Sequence, residues 1–210
     1  MKHVAILVCC LLGSVLSNNS NAQIRLNEIL ADPASDWNGD ATVNSRSDEW
    51  VEIINLGSNT IDLTDYRLGD VSGGTEWRYG FSGALAPGAV RVVYGSDSVA
   101  WEQANGFPAF GLSFNNGGDT VYLYDTAGGD TVIVDEYTYD GFAVQDDRAV
   151  GRDITGGLWQ IFDVLNPYSG TTPPLGNGCM PTPGAINECT ATVPVEHSTW
   201  GAIKAMISGQ

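Results

Sequence analysis

Between residues 24 and 162 the apolar residues recur with a period of two, in short runs cut by Gly, Asn and Asp. A period of two puts alternate side chains on opposite faces of an extended chain, so the pattern selects sheet over helix. The predicted strands are 24–30, 49–55, 66–69, 76–81, 90–94, 120–124, 131–137 and 158–162. In one of them Val121 and Leu123 face one way, Tyr122 and Tyr124 the other. The residues Asp125-Thr126-Ala127-Gly128-Gly129-Asp130 join two of these strands as a hairpin, their glycines free to take positive φ. Leu85-Ala86-Pro87-Gly88 reads as a turn before the next strand. No amphipathic helix is expected between 24 and 190, beyond a short turn at 98–105. Many short strands with frequent turns predict an all-β chain, a β-sandwich.

Charge narrows the function. The 210 residues carry 25 Asp and Glu against 9 Lys and Arg, a formal charge of −16. Such a chain repels phosphate backbones, which argues against nucleic acid as a partner and leaves cations open. Residues 1–22 read as a signal peptide: Lys2 and His3, the apolar run 4–12, then a polar stretch ending in Ser20-Asn21-Ala22. The apolar run is shorter than the roughly 20 residues a membrane span needs. The competing reading is a buried helix at the start of the domain. Removal of 1–22 leaves two cysteines, Cys179 and Cys189, and one histidine, His197. Two cysteines in an exported chain favour a disulfide, with free thiols as the alternative. The expected location is outside the cell or at its surface, with no membrane span after signal removal.

Several runs, taken in order, resemble the lamin tail domain in its secreted bacterial version. They are Ile24-Arg25-Leu26-Asn27-Glu28-Ile29-Leu30-Ala31-Asp32-Pro33, Asp48-Glu49-Trp50-Val51-Glu52-Ile53-Ile54-Asn55 and Ile61-Asp62-Leu63-Thr64-Asp65-Tyr66-Arg67-Leu68-Gly69-Asp70. After the Leu85–Gly88 turn come Asn116-Gly117-Gly118-Asp119-Thr120-Val121-Tyr122-Leu123-Tyr124-Asp125, Val134-Asp135-Glu136-Tyr137 and Thr182-Pro183-Gly184-Ala185-Ile186-Asn187. The resemblance spans about residues 24–188 and implies an immunoglobulin-like β-sandwich that serves as a binding or structural module without a reaction of its own. The expected organisation is a signal peptide at 1–22, a sandwich at 23–189, and a linker and tail at 190–210. In the tail Ser198 caps a short helix with Trp200, Ile203 and Ile207 on one face, read as a sorting segment or as a terminal helix docked on the sandwich.

Residues 36–49 resemble the calcium loop of EF-hands and dockerins. Asp36, Asn38 and Asp40 supply alternating oxygen ligands, Thr42 its backbone carbonyl, and Asp48 the closing carboxylate. Ala41 stands where such loops carry glycine, and the closing acid comes one residue late. The bland reading is a solvated acidic turn. The expected cofactor is therefore calcium, and the expected partner an extracellular protein, a glycan or a cell-surface component.

The runner-up function is a secreted hydrolase of glycosidase type, which needs two facing carboxylates beside sugar-stacking aromatics. Glu28, Glu49, Glu52 and Glu136, with Trp50 or Trp77, are the candidates, and spacing singles out no pair. Trp50 and Trp159 read as core. The scattered arginines read as solubilising partners of the acids.

Overall fold

The computed structural model describes residues 23–70, 76–153 and 155–189. The signal-peptide reading of 1–22 and the tail reading of 190–210 lie outside the described residues. Among the described residues there are eleven strands: β1 Ile24–Leu30, β2 Trp50–Asn55, β3 Ile61–Asp62, β4 Tyr66–Gly69, β5 Tyr79–Gly80, β6 Ala84–Leu85, β7 Val90–Tyr94, β8 Gly118–Asp125, β9 Val132–Asp140, β10 Ala149–Arg152 and β11 Trp159–Phe162. One helix, α1, covers Gly95–Ala104. The first sheet has the order β11-β10-β1-β2-β7 and the second β5-β4-β8-β9, while β3 and β6 form a small pair. The described strand pairs are antiparallel. This is the expected immunoglobulin-like sandwich.

The core between the sheets follows the period of two. Ile24, Leu26, Ile29, Val51, Ile53, Val93, Val150 and Ile161 come from the first sheet and meet Tyr66, Leu68, Val121, Leu123 and Tyr139 of the second. The predicted hairpin forms β8 and β9, paired from Gly118 opposite Asp140 to Asp125 opposite Val132. Gly128 and Gly129 take positive φ in the joining turn.

The outer face of the first sheet departs from a simple two-layer sandwich. All six residues of β2 are buried, so this strand is covered on both faces. A second apolar cluster of Leu30, Trp50, Ala149, Phe162 and Cys179 lies on the outer side, with Trp37 packed against it. The register of β1 against β2 slips between Leu26 and Glu28, a β-bulge. The extra residue lets Asn27 and Glu28, though consecutive, both engage the segment laid over that face.

Four departures from expectation are present. The predicted strand 76–81 shrinks to Tyr79–Gly80. The pairs β3 and β6 are two residues each, too short to show a period. Strand β10 carries Gly151 at its centre, which weakens the strand signal. The glycine is needed there: a Cβ would stand 2.7 Å from Asn187 Nδ2 and 2.9 Å from the Phe162 ring. The fourth is α1, ten residues long where only a short turn was expected. Its buried positions are Gly95, Ser98 and Glu102, so its inward face is polar and carries no apolar stripe. Hydrogen bonds replace hydrophobic contact there: Ser98 Oγ donates to the Arg78 carbonyl at 2.6 Å and Glu102 accepts the Gly111 N–H at 2.8 Å.

Replacing Gly151 by alanine is expected to lower stability by about 1–3 kcal/mol, the usual cost of forcing atoms into a packed site. Chemical denaturation of Gly151→Ala checks this.

Candidate functional site

Three groups of charged side chains stand out, and the fold uses each differently. The first is the pair Glu28 and Glu52, directly opposite each other on β1 and β2. Both are fully buried. Residues 179–189, a loop closed by the disulfide Cys179–Cys189 with Cα atoms 5.5 Å apart, lie over them. Thr182 donates its N–H to Glu28 at 3.2 Å and its hydroxyl at 2.7 Å. The Gly184 N–H donates to Glu52 at 2.6 Å, and Asn27 Nδ2 donates to the other Glu52 oxygen at 2.6 Å. Asn187 completes the network: it accepts from Asn27 at 2.8 Å and donates to the Arg152 carbonyl at 2.8 Å.

Burial pushes the Glu28 carboxyl up to about 8 against the relief supplied by Thr182, and the neighbouring Glu52 raises it further. Burial likewise holds Glu52 at about 7 despite its bonds to Asn27 and Gly184. Glu49, the third buried acid, is turned elsewhere and accepts the Phe114 N–H at 3.3 Å; burial lifts it to about 8. Glu136 is exposed on β9. Of the four glutamates considered for hydrolysis, the pairing register places Glu28 opposite Glu52, and the bonds of that pair go to the closing loop. Trp50 is core, as expected, and fully buried. Trp159 is half-buried on the outside of that core, its ring stacked 3.6 Å from Tyr137.

The second group is the acidic loop. Asp36, Asn38, Asp40 and Thr42 form one exposed tip: Asp36 accepts the N–H groups of Gly39, Asp40 and Ala41 at 2.8, 3.2 and 2.8 Å. Asn38 Oδ1 accepts the Asp40 N–H at 3.0 Å and Asp40 accepts the Thr42 N–H at 2.8 Å. Ala41, at the position where calcium loops carry glycine, takes φ 68°. Asp48 lies on the inner side of the loop. It is fully buried, and its carboxylate accepts the N–H groups of Trp37, Asn38 and Asn44 at 2.9, 3.0 and 2.7 Å. Asp147 braces the same loop, accepting from Ala34, Ser35 and the Trp37 indole at 2.7 Å, 3.0 Å and 2.7 Å. The fit to calcium is thus partial: Asp36, Asn38, Asp40 and Thr42 are brought together, although Asp36, Asn38 and Asp40 also accept backbone N–H groups, and Asp48 is buried on the inner side of the loop. Among the described residues no group of three or more His, Cys, Asp or Glu is placed to hold a metal ion.

The third group is one that the sequence misassigned. Arg148 and Arg152 are braces of the fold rather than solubilising surface charges. Arg152 pairs with Asp135 at 2.8 Å, donates to the Leu26 carbonyl at 2.7 Å and lies over the Trp159 ring. Arg148 donates to the carbonyls of Asn166, Phe142 and Pro167 at 2.6, 2.8 and 3.0 Å. Their spacing in the chain gave no sign of this, because the acceptors are mainly backbone carbonyls.

Fold and site together define an immunoglobulin-like β-sandwich whose buried glutamates hydrogen-bond within the fold. A family model described as Lamin Tail Domain matches residues 17–141, more than half of the chain, and the chain belongs to that family. The match stops at the end of β9, while β10, β11 and the closing loop beyond it complete the first sheet. Neither curated proteins nor solved structures gave a match.

The raised carboxyls make stability depend on pH. A group that binds its proton more tightly in the fold than the ordinary 4.5 contributes fully below that value and loses its contribution as pH rises through 7 to 8. The melting temperature is expected to fall by several degrees between about pH 5 and about pH 9. In Glu28→Gln, which has no proton to lose there, the fall is expected to be shallower. A flat or rising profile contradicts the assignment.

Proposed function

We propose that the chain is a non-catalytic extracellular module that binds a protein, a glycan or a cell-surface component through its exposed loops. The observation that carries the reading is the fate of its acids. Glu28 and Glu52, the pair most like a hydrolytic dyad, have their oxygens committed to Thr182, Gly184 and Asn27 beneath a disulfide-closed loop. A general acid or nucleophile must reach its substrate. The disulfide supports an oxidising compartment, and the leader-like sequence of residues 1–22 supports export.

The proposal includes calcium at the tip formed by Asp36, Asn38, Asp40 and Thr42. Without Asp48 as a ligand, the affinity belongs with the weaker extracellular calcium modules, about 0.1–1 mM. The test is a glycan and matrix-protein array probed with and without calcium, alongside thermal melting. Saturable binding to one ligand class without turnover is expected. Millimolar calcium is expected to raise the melting temperature, and Asp40→Ala to remove the rise. Release of reducing ends from a polysaccharide panel contradicts the module reading, and an unchanged melting temperature contradicts the calcium site.

A further inference from the structure

Outside the sealed outer layer, a hollow of about 120 Å³ opens between β5 and the C-terminal side of α1. Trp77, Phe107 and Phe110 form apolar walls, and Glu76, Arg78 and Glu102 supply its charges. Two features of those charges are unusual. The single guanidinium of Arg78 faces three carboxylates: Asp70 at 2.9 Å, Glu102 at 3.5 Å and Glu76 at 3.8 Å. The Glu102 side chain is wholly buried and that of Asp70 is 10% exposed, so the inner part of this site sets two carboxyl groups against one guanidinium. Secondly, among the described residues five buried side-chain polar atoms lack a hydrogen-bond partner, and three cluster here: Asp70 Oδ1, Arg78 Nε and Glu102 Oε1. Buried polar atoms are nearly always paired, because leaving one unpaired costs the full penalty of stripping its water.

We propose that this hollow receives a primary alkylammonium group, presented as a lysine side chain by a partner polypeptide. The inference rests on the binding-module reading and gives it a contact. An added cation balances the second buried carboxylate, which a neutral ligand does not do. The ammonium is compact and carries three donors, which suit a Glu102 oxygen whose one contact is the 3.5 Å ion pair with Arg78, with Glu76 at the mouth. Trp77, Phe107 and Phe110 cover the methylene stem and offer ring faces to the charge. The Phe110 face already attracts a cation, since the Arg78 guanidinium lies 5.4 Å from its centre. A guanidinium fits less well, because Arg78 occupies the planar position between the carboxylates. The overall charge of −16 draws basic partners towards the site.

The test follows, by NMR in the full chain, the indole N–H signals of Trp77 and of Trp101, whose ring stacks on Phe107 at 5.4 Å. The probes are n-butylammonium and Nα-acetyl-lysine N-methylamide, with the norleucine analogue as neutral isostere and methyl glucoside as a polyol. Saturable shifts are expected with both ammonium probes at millimolar concentration, weakening with salt and absent with norleucine. Glu76→Gln and Phe110→Ala, both at exposed positions, are expected to weaken binding several-fold while leaving the rest of the spectrum in place. Equal shifts with norleucine, shifts with the glucoside alone, no shift at tens of millimolar, or shifts indifferent to both variants each overturn the proposal. A partner found on the arrays whose binding both variants leave unchanged also overturns it, and the module reading then stands without this contact.

Discussion

The contact on which the first sheet depends is the one between two buried glutamates and a loop far along the chain. Glu28 meets Thr182 across 154 residues and Glu52 meets Gly184 across 132. These bonds fasten residues 179–189 over the outer face of β1 and β2. With Trp37 of the acidic loop they convert that face from a solvent-facing surface into a second core. The β-bulge that turns Asn27 and Glu28 to the same side and the glycine at 151 both serve this closure. The disulfide contributes by limiting the loop before it docks; closing so short a loop is worth about 2–3 kcal/mol on the chain-entropy account. A buried carboxylate is a costly anchor. Here the cost is met by hydrogen bonds and, at Glu28, by keeping the proton to about pH 8.

This arrangement separates framework from function. The acids that most resemble an enzymatic pair are the ones that hold the fold shut. The chemistry left accessible lies at the rim: the acidic tip at Asp36–Asp40 and the aromatic hollow beside Arg78. Both are where the proposals above place a positively charged partner, in keeping with the charge of the chain.

The sandwich was legible because its strands are short runs rich in Val, Ile, Leu and Tyr, and turns between them carry glycine where positive φ is required. Ile24–Leu30, Tyr66–Gly69 and Val90–Tyr94 fall where the pattern places them. The helix was not legible, since it buries Ser98 and Glu102 instead of an apolar stripe. The disulfide was read from two cysteines and the leader-like sequence of residues 1–22. The roles of Glu28, Glu52, Arg148 and Arg152 were hidden because their partners are distant in sequence and largely backbone. One signal was available: Asn27-Glu28 and Glu52 interrupt otherwise apolar strands, and a polar residue inside such a strand needs a buried partner. The closing run Thr182–Asn187, with its turn and its asparagine, is that partner. In the acidic loop the spacing of ligands was visible, but the commitment of Asp48 to three N–H groups was not, because any loop that bends around a carboxylate shows the same alternation.

The most direct test of the account is amide hydrogen exchange at Thr182 and Gly184. If buried glutamates hold the closing loop as part of the core, these two amides are protected to the same degree as those at the centre of β1, near pH 6 and with the disulfide intact. Exchange at the rate of an exposed loop, while β1 remains protected, would contradict it.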